Sequence, residues 1–477
     1  MRVIRVLVFL TIMALLSSFG FQSLEAKIWH VDDDHVECPD AEFSKIQDAV
    51  NNASPEDTIV VCPGTYTENV VVNKDHLTIK SESGAKSAIV QAPDSTGHVF
   101  SVSAGYITIS GLTIRNARTT EHYYWGAAGI YISATHCSIL NNIITENGKG
   151  IFLESSSYII IKGNSIINNQ VNDFSDGIYM LSCNNINIVN NVILNNKDEG
   201  IQAEKEGDYI TITNNNISYN GELGIFLEPR GEHITITNNN ISYNGYHGIY
   251  LPEGEHITIN NNVISGNGSD GIYLWTSVED IPDNLEEALT YSQDYTIENN
   301  IIDSNRGDGI NLGTLPKGND VIGNTISSNQ GSGIRFGGDS KTFYKFGKPF
   351  ITIKSSHNCI KRNTLRNNGT GIYCRVSEYN RICLNNFINN STNAISENSD
   401  NFWNSLIMTY TYQGKEYSGY MGNYWDDYKG SDEKGDGIGD TPYSINSDAD
   451  NYPLMEFWEN YFPPHKPMPW LHLLLGD

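Results

Sequence analysis

Positive charge is what this sequence has least of. Its 477 residues carry 30 Lys and Arg against 56 Asp and Glu, a formal net charge of −26. So acidic a chain repels phosphate backbones and anionic headgroups, which argues against nucleic acid or an anionic membrane as partner. Charge of either sign is scarce, at 18% of residues, against ~25% in an ordinary soluble domain. Beyond residue 16 there is no long apolar run, and residues 470–475 are too short a stretch to span a bilayer. Helical periodicity of useful length is missing too. So is metal-type cysteine spacing. The 7 Cys, 7 Met and 12 His are scattered, with no CxxC pair and no Cys/His cluster, which makes copper the less favoured metal. Disorder is excluded by the frequency and regular placement of Ile, Tyr and Phe.

The N-terminus is an export signal in form. Arg2 and Arg5 precede an uncharged apolar run over 6–16, then Ser17, Ser18 and Gly20, with Ala26 as the last residue before cleavage. Segment 1–26 is read as a signal peptide, the alternative being an uncleaved anchor. The mature chain is expected to be secreted, periplasmic or on the cell surface, with no membrane span. In an oxidising compartment Cys38 and Cys62, which flank the predicted first helix and strand, either pair or stay free. Cys137, Cys374 and Cys383 fall on core positions, as small buried hydrophobes do.

The centre of the chain is one unit repeated. Gly-Ile-x-apolar recurs at Gly129, Gly150, Gly177, Gly200, Gly224, Gly248, Gly271, Gly309, Gly333 and Gly371, at a period of about 21–24 residues where no insertion intervenes, which is solenoid spacing. Within the copy starting at Gly224, Ile225 and Leu227 alternate with Phe226, Ile234 and Ile236 alternate with Thr235, and Ile241 stands alone. Period-two alternation means strands with the aliphatic set inward. Three short strands cannot bury their own inner face, but stacked copies can.

Two Asn columns follow the repeat, one from Asn142 to Asn386 and one five residues later from Asn147 to Asn368. Asn tolerates sharp left-handed corners, and stacked amides form hydrogen-bond ladders, so both columns are structural. The fold expected is all-β: a right-handed parallel β-helix of three-strand coils, regular from residue 128 to 390, with irregular extended segments before it. A helical N-terminal cap is expected over 43–50, with Phe43, Ile46 and Val50 on one face. The divisions expected are 27–110 for the cap and first coils, 111–400 for the repeats and 401–477 for a C-terminal capping module. An imperfectly capped end would permit weak self-association.

One outer face carries chemistry. The outward residue of the Gly-Ile-x-apolar strand reads Tyr131, Phe152, Tyr179, Gln202, Phe226, Tyr250, Tyr273, Asn311, Arg335 and Tyr373. Glu154, Glu204 and Glu228 come two residues later in their coils, and Asp176, Glu199, Asp270 and Asp308 stand just before the Gly. Rings that stack on sugar faces, beside carboxylates that accept hydroxyl hydrogen bonds, make a saccharide platform. Cross-strand aromatic pairs that merely brace the sheet are the competing reading. Insertions over 275–293 and 337–350 leave the same corner with Trp275, Tyr291, Phe343, Tyr344, Phe346 and Phe350, which favours the platform. His233 and His256 occupy equivalent positions of adjacent coils and are read as turn residues rather than metal ligands.

Five motifs carry a family resemblance: Phe43-Ser-Lys-Ile-Gln-Asp-Ala, then Asp57-Thr-Ile-Val-Val-Cys-Pro-Gly-Thr-Tyr, and C-terminally Gly422-Asn-Tyr-Trp-Asp-Asp-Tyr, Gly435-Asp-Gly-Ile-Gly-Asp-Thr-Pro-Tyr and Tyr452-Pro-Leu-Met. The chain resembles the pectin-lyase-like β-helix superfamily, and within it the NosD-type periplasmic copper-accessory proteins and their archaeal cell-surface relatives. That resemblance implies the fold and a C-terminal loop spaced like a calcium site, here Asp432, Asp436 and Asp440, with Lys434 and Tyr443 where further ligands would stand. The catalytic motifs of the superfamily's lyases and hydrolases are not found. Catalytic residues stay unassigned, and the one run of acids, Asp32-Asp33-Asp34, precedes the cap. The reading is an exported, non-catalytic β-helix that binds glycan or another cell-envelope component on its outer face. A polysaccharide lyase or hydrolase and a copper-site accessory protein are the alternatives.

Overall fold

In the computed structural model the described residues are 26–462, apart from 94–96, 119–125, 206, 229–231, 253, 276–283, 285–292 and 346–347. The proposed signal segment up to residue 25 and residues 470–475 therefore lie outside the described residues. Three parallel sheets of 16, 13 and 14 strands run from Ile28 to Trp425, and each regular coil gives one strand to each. The architecture is a right-handed parallel β-helix. No helix among the described residues is long and apolar enough to cross a membrane.

Register follows from the repeat. In the first sheet Ile236 pairs with Ile259 and then Ile297; in the second, Ile225 with Ile249 and Ile272; in the third, Ile241 with Ile264 and Ile302. All nine are fully buried, so identical side chains stack into three inner columns. Burying each contributes about 1.5–3 kcal/mol relative to exposure, which a lone coil could not recover. The glycine of each repeat reflects close approach. A Cβ at Gly224 would stand 2.5 Å from the Gly248 carbonyl oxygen and 2.7 Å from Ile241 Cγ2.

The stacking begins at the first strand. Ile28–Val31 already pairs in register with Thr58–Val61, and Val70–Val72 with Phe100–Val102, which continues into Ile130–Ile132. These first coils bury Val, Leu and Phe in place of the Gly-Ile signature, which is why they read as irregular. The cap helix is Ile46–Asn52, three residues later than expected. Its first N–H groups, on Ile46 and Gln47, donate to the Glu68 carboxylate at 2.8 and 2.9 Å. Phe43 stays extended, bridging to Val31 and packing on Trp29.

The Asn columns are ladders. Asn215 Nδ2 donates to Ile188 O (2.8 Å) in the preceding coil and to Asn239 Oδ1 (3.1 Å) in the next, and its backbone N–H donates to the same Oδ1 (2.8 Å). The left-handed corner residue is the one before, as at Asn214, Asn238 and Asn261, with φ of 57°, 56° and 54°. The first ladder ends through Asn385 and Asn423 rather than Asn386, which instead bonds Glu459. A third ladder, Asn319–Asn358–Asn380–Asn401, escaped the sequence reading.

At the C-terminal end, Phe387, Trp425 and Tyr443 stack with successive centroids 4.2 Å apart and lid the core. Buried Asp450 accepts from Trp425 Nε1 (2.9 Å) and the Asn423 N–H (2.8 Å). Cys38 and Cys62 form a disulfide. Cys137, Cys374 and Cys383 are buried free thiols.

Candidate functional site

The outward column of the second sheet is continuous. Tyr131, Phe152, Tyr179, Gln202, Phe226, Tyr250, Tyr273, Asn311, Arg335 and Tyr373 pair coil to coil in a single register. Its two halves differ. In the N-terminal half Phe152 and Tyr179 are only 1% and 3% exposed, so the expectation of open rings fails there. Ala128 and Leu181 pack on them. Lys149 Nζ sits 4.2 Å from the Tyr179 ring centre and donates to Phe174 O at 2.8 Å. The Tyr131 hydroxyl donates to Glu154, and the Tyr179 hydroxyl donates to Glu204 (2.9 Å). Those two carboxylates are thus engaged by the column's own phenols.

The central half is open. Phe226, Tyr250 and Tyr273 stack at 5.3 and 5.2 Å between centroids, 8° and 11° from parallel, each partly buried. Burial, with smaller effects of Tyr273 and Glu228, pushes the Tyr250 phenol up to about 12. Glu228 is exposed just beyond Leu227, and Trp275 stands 45% exposed just past Leu274. The rings lead into a cleft of about 530 Å³ lined by Tyr273, Asn311, Arg335 and Arg375, with Gly337 and Gly338 at its wall. Arg335 lies over the Tyr373 ring at 5.2 Å and 3.9 Å from Asp308. Arg375, unremarked in the sequence, thus joins Arg335 in a cleft that Asp339 also lines. Of the insertions, 337–350 forms part of an antiparallel hairpin, Lys341–Lys345 with Lys348–Ile353, with Tyr344 and Phe350 exposed. Tyr291, Phe346 and most of 275–293 lie outside the described residues.

The acids just before each glycine are not on this face as free ligands. Asp176, Glu199, Asp270 and Asp308 are all buried. Asp270 Oδ1 accepts the Asp308 N–H (2.6 Å), Asp176 Oδ1 the Glu199 N–H (3.3 Å), and Asp308 the Ser332 N–H. His247 and His98 do the same through Nδ1, for Asp270 N–H (3.1 Å) and Ala128 N–H (2.9 Å). Burial holds both imidazoles down at about 4, hence neutral, and raises Asp270 to about 6. One cluster stands out: ligand atoms of Asp176, Asp198 and Glu199 lie within 4.8 Å of one another, and Lys149 Nζ meets Asp176 Oδ2 at 2.5 Å. Burial and the neighbouring acids push Glu199 well up, so it keeps its proton. Lys149 and Asp198 were missed in the sequence, although Lys149 occupies the position before Gly150.

Asp432, Asp436 and Asp440 do not converge as a cation site. Asp432 accepts the N–H groups of Gly435 (2.7 Å), Asp436 (3.1 Å) and Gly437 (2.7 Å), and Asp436 accepts that of Ile438 (3.0 Å). Asp440 pairs with Lys434 Nζ at 2.6 Å. The three are not among the groups whose ligand atoms lie within 4.8 Å. Backbone donors and one ammonium satisfy the loop, which the spacing alone could not reveal. His233 and His256 likewise stack as corner residues with Tyr209, at 4.9 and 5.5 Å between successive centroids.

Residues 70–230 and 128–284 match the model of the right-handed β-helix region, and 283–430 match that of the periplasmic copper-binding protein NosD. The chain is thus similar to the right-handed β-helix family over residues 70–284 and to NosD over residues 283–430. It is 39% identical over 105 residues to a cell surface glycoprotein of Methanothermus fervidus, covering 21% of the chain and 16% of that protein. It is 32% identical over 115 residues to the probable ABC transporter binding protein NosD of Stutzerimonas stutzeri, covering 24% of each. The chain thus spans a quarter or less of the length of these relatives. Among solved structures, the A-module of the mannuronan C-5 epimerase AlgE6 of Azotobacter vinelandii aligns over 74% of this chain and 93% of its own, at 14% identity and a TM-score of 0.44. At such a TM-score the likeness bears on neither activity nor substrate.

Proposed function

We propose that this protein is an exported, non-catalytic β-helix that binds an extended acidic polysaccharide along the outer face of its second sheet. The observation that carries the proposal is the run of partly exposed, near-parallel rings Phe226, Tyr250 and Tyr273 leading into the cleft with Arg335 and Arg375. Rings spaced one per coil suit a repeating sugar chain, and guanidinium forks suit its carboxylates. Trp275 and Glu228 border the track, while Tyr131, Phe152, Tyr179, Glu154 and Glu204 brace it. A periplasmic or cell-surface location agrees with the NosD and cell-surface relatives.

Affinity electrophoresis tests the reading. Polygalacturonate and alginate gels should retard the protein, Tyr250→Ala/Tyr273→Ala should abolish retardation, and Arg335→Ala/Arg375→Ala should weaken it for acidic polymers only. No retardation, or retardation unchanged in both variants, sinks the proposal. Release of unsaturated or reducing ends would convert it to the enzyme reading. A second reading, copper-site assembly, is favoured by the NosD match over 283–430; stoichiometric, chelator-resistant copper binding would support it.

A further inference from the structure

The acid run at the N-terminal end is used by nothing described so far. Asp32, Asp34 and Glu37 follow directly on the first strand, Ile28–Val31. Each offers one carboxylate oxygen, and the three oxygens lie within 4.8 Å of one another. Asp34 and Glu37 are exposed, but Asp32 is fully buried. Asp32 Oδ2 accepts the Cys38 N–H at 2.7 Å, whereas Oδ1 is buried with no hydrogen-bond partner. Among the described residues, no ion pair reaches any of the three carboxylates. A buried acceptor with no donor is costly and rare in a native fold, and a like-charged trio around it compounds the cost. The loop is also held in place. Asp33 Oδ2 accepts the Thr65 N–H (3.0 Å), Asp34 Oδ1 accepts the Val36 N–H (3.0 Å), and Cys38 is bonded to Cys62. Nearby Tyr66 feels the charge: burial first, then Asp33, Asp32 and Glu37, raise its phenol.

We propose that Asp32, Asp34 and Glu37 bind a calcium ion, with Asp32 Oδ1 as the buried ligand. The donor set is oxygen only, with neither His nor Cys, which suits a hard cation rather than copper or zinc. The ion supplies the missing partner of Asp32 Oδ1 and cancels the repulsion of the trio. It also braces the loop that leaves the first strand, at the end of the solenoid where the sheets would otherwise open. With two of three ligands in solvent, affinity falls in the weak extracellular class, Kd about 10⁻⁴–10⁻³ M.

The test uses the chelator-treated full chain and calcium chloride alone. Equilibrium dialysis should show one calcium per chain. Asp34→Asn/Glu37→Gln, both at exposed positions, should weaken it at least tenfold, and Asp432→Asn/Asp436→Asn should leave it unchanged. Carboxyl labelling of the unmutated protein, which needs no variant to fold, should show Asp34 and Glu37 protected by calcium. No bound calcium at millimolar concentrations, unchanged binding in the first variant, loss only in the second, or no protection would each overturn the proposal. Polysaccharide binding is read by a separate gel, so failure of one leaves the other standing.

Discussion

Asn239→Ala tests the claim that the amide ladders hold the coils in register. Asn239 is 2% exposed. Its Nδ2 donates to Ile212 O (2.8 Å) and Asn262 Oδ1 (3.0 Å), and its Oδ1 accepts from Asn215 N (2.8 Å) and Nδ2 (3.1 Å). Alanine removes all four. Asn262 Oδ1 keeps the Asn239 N–H, and Asn215 Nδ2 keeps Ile188 O and Thr213 O. Asn215 N–H, however, loses the acceptor that faces it. One orphaned buried donor at about 1–3 kcal/mol, plus roughly two net hydrogen bonds at about 1 each, gives about 4 kcal/mol. Asn240→Ala, at the exposed next residue, should cost under about 0.5 kcal/mol. Urea unfolding gives the loss, and hydrogen exchange locates it: amides of the coils around Asn215 and Asn262 should lose protection before distant coils, because a solenoid unfolds by neighbours. A loss under about 1 kcal/mol, or an equal loss in Asn240→Ala, refutes the reasoning.

Two further predictions concern close packing and titration. Gly224→Ala should destabilise by about 1–3 kcal/mol, read as a lower urea midpoint, since its Cβ would stand 2.5 Å from Gly248 O; an unchanged midpoint would contradict the packing argument. His247 is held neutral at about 4, so its contribution to stability is intact above its ordinary value and is lost as pH falls from about 6.5 towards 4. Asp270, 3.7 Å away and raised to about 6, acts in the opposite sense: its contribution is present at low pH and lost as pH rises through 6. His247→Asn keeps an acceptor for the Asp270 N–H without titrating, so the acid limb of its urea midpoint should be flatter than that of the unmutated protein. Parallel limbs would count against a neutral, load-carrying imidazole.

The inner columns were readable because they obey a fixed period: alternation set the strands, and Ile recurring one coil apart set their register. The first coils were not, because Val70, Phe100 and Ile130 share a column with no common motif around them. The aromatic column was placed correctly, yet its exposure was not. Whether a ring such as Tyr179 is covered depends on what Lys149 does across the coils, and no spacing records that. The Asp432 loop misled for a similar reason. Acid spacing alone does not say whether its oxygens point at an ion or, as here, at the loop's own N–H groups.

The position before each glycine shows why titratable residues on this scaffold are weak evidence of catalysis. In five coils the residue before the glycine has a backbone N–H that the equivalent side chain of the preceding coil accepts. The acceptor there is not a particular one, and Lys149 and Leu223 hold the position in other coils. Imidazole serves at His98 and His247 and carboxylate at Asp176, Asp270 and Asp308. Because the site is buried, His98, His247, Asp270 and Asp308 acquire a perturbed protonation equilibrium while doing purely structural work. A buried acid here signals function only where it does something the ladder does not require. Among the described residues, Asp32 with its unpartnered oxygen meets that criterion, and Asp270, which caps the next coil, does not.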